Sequence, residues 1–114
     1  MRHRKKPKIG KGNDHRRKLL RTLGSSLILY EKISTSLKNA RAAKSYAEKL
    51  ITRAKEDTLH NRRILMSKLT TMAAKKALEV LGPKYKERKG GYTRMVKLLH
   101  HSSGNSKVLL ELVE

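Results

Sequence analysis

No cysteine, phenylalanine or tryptophan occurs in this 114-residue sequence, and only nine residues are acidic. The missing cysteines exclude disulfides, thiolate metal sites and cysteine nucleophiles, and they suit a reducing compartment. Without Phe or Trp, the core must be built from Leu, Ile, Val, Met and Ala, with the four tyrosines as the only aromatics. Long apolar runs are missing as well. None approaches the roughly 18 residues of a membrane helix. The stretch LGSSLILY at 23–30 is broken by two serines and ends in Glu31-Lys32. It is too short for a signal peptide and lacks a small-residue cleavage pattern. Pro7, Gly10 and Gly12 interrupt the amphipathic helix that a transit peptide would need.

Basic charge is what the chain has in excess. Twenty-nine Lys and Arg against nine Asp and Glu give a net charge of +20. Such an imbalance destabilises a compact body by self-repulsion. A polyanionic partner relieves it, with nucleic acid the first candidate and an anionic membrane the second. Ten of the first 21 residues are Lys or Arg, opposed by Asp14 alone. Residues 1–12, MRHRKKPKIGKG, have no hydrophobic period and cannot bury enough apolar surface to offset their ordering entropy. They read as an extended basic arm. Residues 13–114 read as a single globular domain, which the length allows.

Hydrophobic spacing gives the elements. Leu19, Leu20, Leu23, Leu27 and Ile28 recur at helical intervals, with Asn13 or Asp14 as the cap and basic residues on other faces. KISTS at 32–36 reads as a short strand. Leu37, Ala40, Ala43, Ala47, Leu50, Ile51 and Ala54 form a long alanine-rich helix capped near Ser36. Thr58 caps a third helix, LHNRRILMSKL, with Leu59, Leu65, Met66 and Leu69 as its apolar points. Thr70 or Thr71 caps a fourth, striped by Ala74, Ala77, Leu78 and Leu81 and ended by Gly82-Pro83. YTRMVKLL and SKVLLELV then read as an antiparallel hairpin with its turn near Gly104-Asn105. The expected fold is α+β: about four helices packed on a small, three-stranded, mainly antiparallel sheet, preceded by the arm.

Catalytic and metal-binding patterns are missing. GKG at 10–12 lacks the spacing of a phosphate-binding loop. His3, His15, His60, His100 and His101 contain no i,i+4 pair, and adjacent His100-His101 would point to opposite faces of a strand. Glu56-Asp57 sit together at a helix end, and the other acids are scattered, so no carboxylate pair for acid–base catalysis stands out. Neither Ser25-Ser26 nor Ser102-Ser103 has the surroundings of a nucleophile. No enzyme, metal or cofactor is expected.

Three basic constellations remain. The first is the arm and the helix after it: Arg2, His3, Arg4, Lys5, Lys6, Lys8, Lys11, His15, Arg16, Arg17 and Arg21. The second is the Arg62-Arg63 step, for which a solvated face is an equal reading. The third is KERKGGYTR at 86–94, with Lys89, Gly90, Gly91, Tyr92 and Arg94. Its glycines either let the backbone approach a ligand or make the turn into a strand. Tyr92 either stacks on a base or packs in the core. No DNA-reading motif and no aromatic platform is visible, so backbone and shape recognition of a large folded RNA fits best. A DNA-compacting architectural protein is the alternative, but it needs a dimer or an inserted wedge. A membrane-active protein would need its basic residues segregated opposite a continuous apolar helix face, whereas the apolar stripes here are better suited to one shared core.

The blocks MRHRKK, HRRKLLRTLGSSLI, ISTSLKNARAAK, EKLITRAKED, NRR at 61–63, LGPKYKERKGGYTR and LELVE resemble, in order, the bacterial large-subunit ribosomal protein seventeen family. The resemblance spans nearly the whole chain. It implies a compact α+β body with a basic arm and a structural, non-catalytic role in the large ribosomal subunit, in the cytoplasm. It also implies contact with the large-subunit ribosomal RNA near the exit tunnel, beside other ribosomal proteins. Arg2, His3, Arg4, Lys5 and Lys6 match the family's basic opening; His15, Arg16, Asn61, Arg62, Arg63, Gly90, Gly91, Tyr92, Thr93 and Arg94 match its other recurrent positions. The final hairpin departs from the family's basic G-x-R-x-G-D-like element. It reads LHHSSGNS, keeping Gly104 but placing Asn105 at the acid and losing the arginine.

Overall fold

Short hydroxyl side chains set the helix starts. Ser36, Thr58 and Thr70 each adopt extended backbone, and each side chain accepts a hydrogen bond from the amide three residues on. That satisfies one of the orphan donors of a first helical turn. The computed structural model describes residues 12–98 and 107–114. Its helices are α1 (Gly12–Tyr30), α2 (Leu37–Ala54), α3 (Leu59–Lys68), α4 (Thr71–Lys76) and α5 (Gly82–Lys84). A wider π-type turn, Ala77–Leu81, joins the last two. The strands are β1 (Lys32–Ser36), β2 (Thr93–Lys97) and β3 (Lys107–Leu112). The expected turn at Gly104-Asn105, like the arm residues before Gly12, lies outside the described residues.

The sheet is antiparallel with β3 in the centre, in the order β1-β3-β2. Ile33, Leu110 and Met95 share one register row, which packs towards the core. Lys32, Glu111 and Arg94 share the next row, and the alternating pleat places them on the opposite face. Val108, Leu110 and Leu112 of β3 are buried, meeting the period of two seen in the sequence. The core joins this face to Leu27, Ile28, the alanines of α2, Leu65, Leu69, Leu81 and Tyr92. The result is the α+β build expected from the pattern.

Several elements differ in detail. Asn13 and Asp14 lie inside the first turn of α1, and Asn13 accepts a hydrogen bond from Arg16 instead of capping. Leu19 and Leu20 are only half-buried; every buried residue of α1 lies between Gly24 and Ile28. In α3, Leu59 and Met66 are exposed, while Asn61 and Leu65 face inward. Asn61 wins its place by bonding: its amide donates to the Glu56 carbonyl (2.9 Å), and its oxygen accepts from Arg53 (3.2 Å), closing the α2–α3 turn. Gly82-Pro83 does not end its helix, which continues to Lys84. Pro83 lacks an amide hydrogen, and its ring crowds the carbonyl four residues back. The widened turn ahead of it accommodates both, with the Gly82 amide bonded five residues back to Ala77. Ser25 is structural: its hydroxyl accepts from the Thr70 amide (3.0 Å) at the α3–α4 corner.

Candidate nucleic-acid interface

The first half of α1 stands clear of the core. Residues 12–18 are exposed except half-buried Arg16, so His15, Arg17 and Lys18 lie on a projecting helix directly after the basic sequence of residues 2–11. Arg21 is the transition. It is exposed, yet its guanidinium donates to the Leu69 carbonyl (3.2 Å), anchoring α1 to the end of α3. Arg2, His3, Arg4, Lys5, Lys6, Lys8 and Lys11 precede the described residues. They carry six of the 29 cations, which leaves 23 on the described residues against nine acids.

The second constellation divides. Asn61, just before it, is buried and holds the scaffold. Arg62 forks onto Asp57 at 2.5 and 2.8 Å, and those hydrogen bonds hold the Asp57 carboxyl below its ordinary range. Arg63 is exposed and makes no ion pair among the described residues.

The third constellation is a loop fastened to α2. Tyr92 is 1 % exposed, so its ring belongs to the core and offers no face to a base. Its amide donates to Glu48 (2.9 Å), and its hydroxyl lies 3.0 Å from Lys55 Nζ and 3.2 Å from Thr52 Oγ1. Burial alone would raise this phenol's pKa. The Thr52 and Lys55 hydrogen bonds and the Lys55 charge outweigh it and hold the group below its ordinary value. The Tyr85 ring packs beside Tyr92, centroids 5.2 Å apart. Lys55 also donates to the Arg88 carbonyl, and Arg88 to that of Gly91 (3.0 Å). Gly90 and Gly91 have φ of +86° and +65°, with nothing within 4 Å of an added Cβ. They make the turn. Lys84 at the end of α5 and Lys86 and Lys89 on this loop remain exposed, while Arg94 pairs with Glu111 across the sheet.

Replacing Tyr92 by Phe removes the oxygen that Lys55 and Thr52 meet. A lost net hydrogen bond costs about 1 kcal/mol, and the loop loses one of its fastenings. Trypsin is expected to cut faster after Lys86, Arg88 or Lys89 in Tyr92→Phe; an unchanged rate would show that the hydroxyl does not hold the loop.

A further set of cations escaped the sequence reading. An open groove runs along the outer side of α2 between α1 and α3, edged by Lys38, Arg41, Lys49, Arg53 and Lys68. The signal was present: positions 38, 41, 45, 49 and 52 form a helical stripe away from the alanines. Among the described residues there is no group of three metal-ligating side chains, and no helix is long and apolar enough to cross a membrane.

A scaffold that bonds Tyr46, Tyr85, Tyr92, Asn61 and Ser25 internally, and leaves lysines and arginines on its surface, defines a structural protein with a strongly basic exterior. The chain belongs to the ribosomal protein L17 family, whose model matches residues 19–113. It is 43% identical over 118 residues to the large ribosomal subunit protein bL17 of Sulfurihydrogenibium sp. (strain YO3AOP1), covering 100% of this chain and 98% of that protein. The bL17 proteins of Carboxydothermus hydrogenoformans and Clostridium kluyveri are each 45% identical over 108 residues, with 93% of this chain and 96% of theirs covered.

Proposed function

We propose that this protein is a structural constituent of the large ribosomal subunit, without catalytic activity, and that it binds and stabilises the subunit's RNA. The observation that carries the reading is likeness along the full length to proteins named for that subunit. The physical support is the charge: 29 cations against nine acids, with ten of the cations and one acid in residues 1–21. Phosphate contact by these groups releases counterions and relieves the self-repulsion of the body. Residues 1–12 act as an arm, the projecting half of α1 continues its basic surface, and Arg63, Lys84, Lys86 and Lys89 add further contacts. The family resemblance supports neighbouring large-subunit proteins as partners, a cytoplasmic location and a seat near the exit tunnel. Asn61 and Tyr92, being buried, serve this surface by shaping it.

Sucrose-gradient sedimentation of a cell extract tests the reading. The protein is expected in the large-subunit fraction and to leave it on ribonuclease treatment. If it stays at the top of the gradient while the subunit sediments normally, the proposal fails. Release by deoxyribonuclease alone would instead favour DNA.

A further inference from the structure

We propose that the groove along α2 is a second RNA-binding site that takes an unpaired stretch of strand, with phosphates on its basic rim and ribose or base on its apolar floor. The inference rests on RNA being the partner. The rim carries five cations, and Glu56 is its only acid. Lys38, Arg41, Lys49 and Lys68 are exposed and enter no ion pair among the described residues, while Arg53 bonds only neutral Asn61. On α2 the rim cations stand about one to two turns apart, where a turn rises roughly 5.4 Å. A single charged strand is matched by such a row.

The floor decides what kind of RNA fits. Leu20, Leu37, Ala42 and Ile64 line it, with Tyr46 as its aromatic member. The Tyr46 hydroxyl donates to the Lys68 carbonyl (2.6 Å), and its ring lies so close to Gly24 that an added Cβ would stand 2.8 Å from it. The ring is therefore already held against α1 before any ligand arrives, which lessens the cost of ordering it on binding. A paired A-form helix presents phosphates and sugar edges, and would leave this apolar surface wet. An unpaired segment brings bases and riboses to it, and stacking on a ring tolerates any base. A peptide occupant would have to be strongly acidic to suit the rim.

Lysine acetylation footprinting of the full chain tests this. With protein-free large-subunit RNA bound, Lys38, Lys49 and Lys68 are expected to react at least fivefold more slowly, and ribonuclease should restore them. Oligouridylate should protect them better than duplex RNA of equal length; equal protection by the duplex overturns the unpaired-strand assignment. If Lys5, Lys6 and Lys8 are protected while the groove lysines stay reactive, the groove proposal falls and the RNA reading stands. If none is protected, both fall. Protection that appears only when neighbouring proteins are added assigns the groove to a protein and overturns the proposal. The variant carrying Lys38→Gln, Arg41→Gln and Lys49→Gln changes only exposed positions. Its melt should match the parent, and its salt slope for RNA binding should drop by about 2, from about 0.7 per single-strand phosphate contact. An unchanged slope sinks the idea.

Discussion

Deletion of residues 2–11 is expected to weaken binding to large-subunit RNA severely at low salt while leaving the thermal melt of the body unchanged. The segment carries Arg2, Arg4, Lys5, Lys6, Lys8 and Lys11 and no acid. If each cation neutralises one phosphate, the slope of log affinity against log salt falls by about 4–5. Between 50 and 200 mM salt the full chain then loses roughly 10²–10³-fold more affinity than the shortened one. Binding does not vanish, because 23 cations remain against nine acids. Stability should hold, because the first buried residue of α1 is Gly24, more than two turns beyond the deletion. Fluorescence titration at several salt concentrations checks the first half, and a circular-dichroism melt checks the second. An unchanged slope would free the segment from any role in phosphate contact. A collapsed melt would make it part of the fold.

What could be read from the sequence was what depends on near neighbours. Ser36, Thr58 and Thr70 cap helices because each reaches an amide three residues away, so the chemistry is local. The alanine stripe of α2 was equally legible, since one helix face shows directly as spacing. Groups whose partners are remote were not. Tyr92 is committed to the core by Glu48, Thr52 and Lys55, some 40 residues earlier in the chain. Arg94 counted as a free cation until β3 brought Glu111 opposite it, 17 residues on. Leu59 and Met66 looked like core because apolar residues lie on two faces of α3; Asn61, bonded at the α2–α3 turn, decides which face turns inward. The groove cations had a legible spacing, but the same spacing describes any solvated helix face. Only the placement of α1 and α3 on either side turned that face into a site.

Replacement of Gly82 by Ala is expected to be the most destabilising single-methyl change among the glycines of the described body. The residue has φ −55° and ψ −56°, so alanine fits the backbone, and the effect is purely one of space. An added Cβ would stand 2.5 Å from the Ala54 carbonyl oxygen, 3.1 Å from its carbon and 3.3 Å from the Ala77 oxygen. All three are backbone atoms, two at the end of α2 and one in the wide turn, and none can rotate aside. Overpacking of this kind costs about 3 kcal/mol, which lowers the melting temperature of a domain near this size by roughly 10–20 °C. Gly24→Ala is the useful contrast. Its nearest atoms, at 2.8 and 3.0 Å, belong to the Tyr46 ring, a side chain that can shift at a cost of about 1 kcal/mol. Gly90→Ala meets no atom but must hold a φ of +86°, which costs about 1–2 kcal/mol from the backbone alone. The sign of the Gly82 result carries the argument. In an open helix, alanine is about 1 kcal/mol better than glycine, so a raised melting temperature would mean that α5 and the end of α2 are not in contact. A fall larger than at Gly24 and Gly90 would establish that the absent side chain of Gly82 is what lets the two helices approach closely.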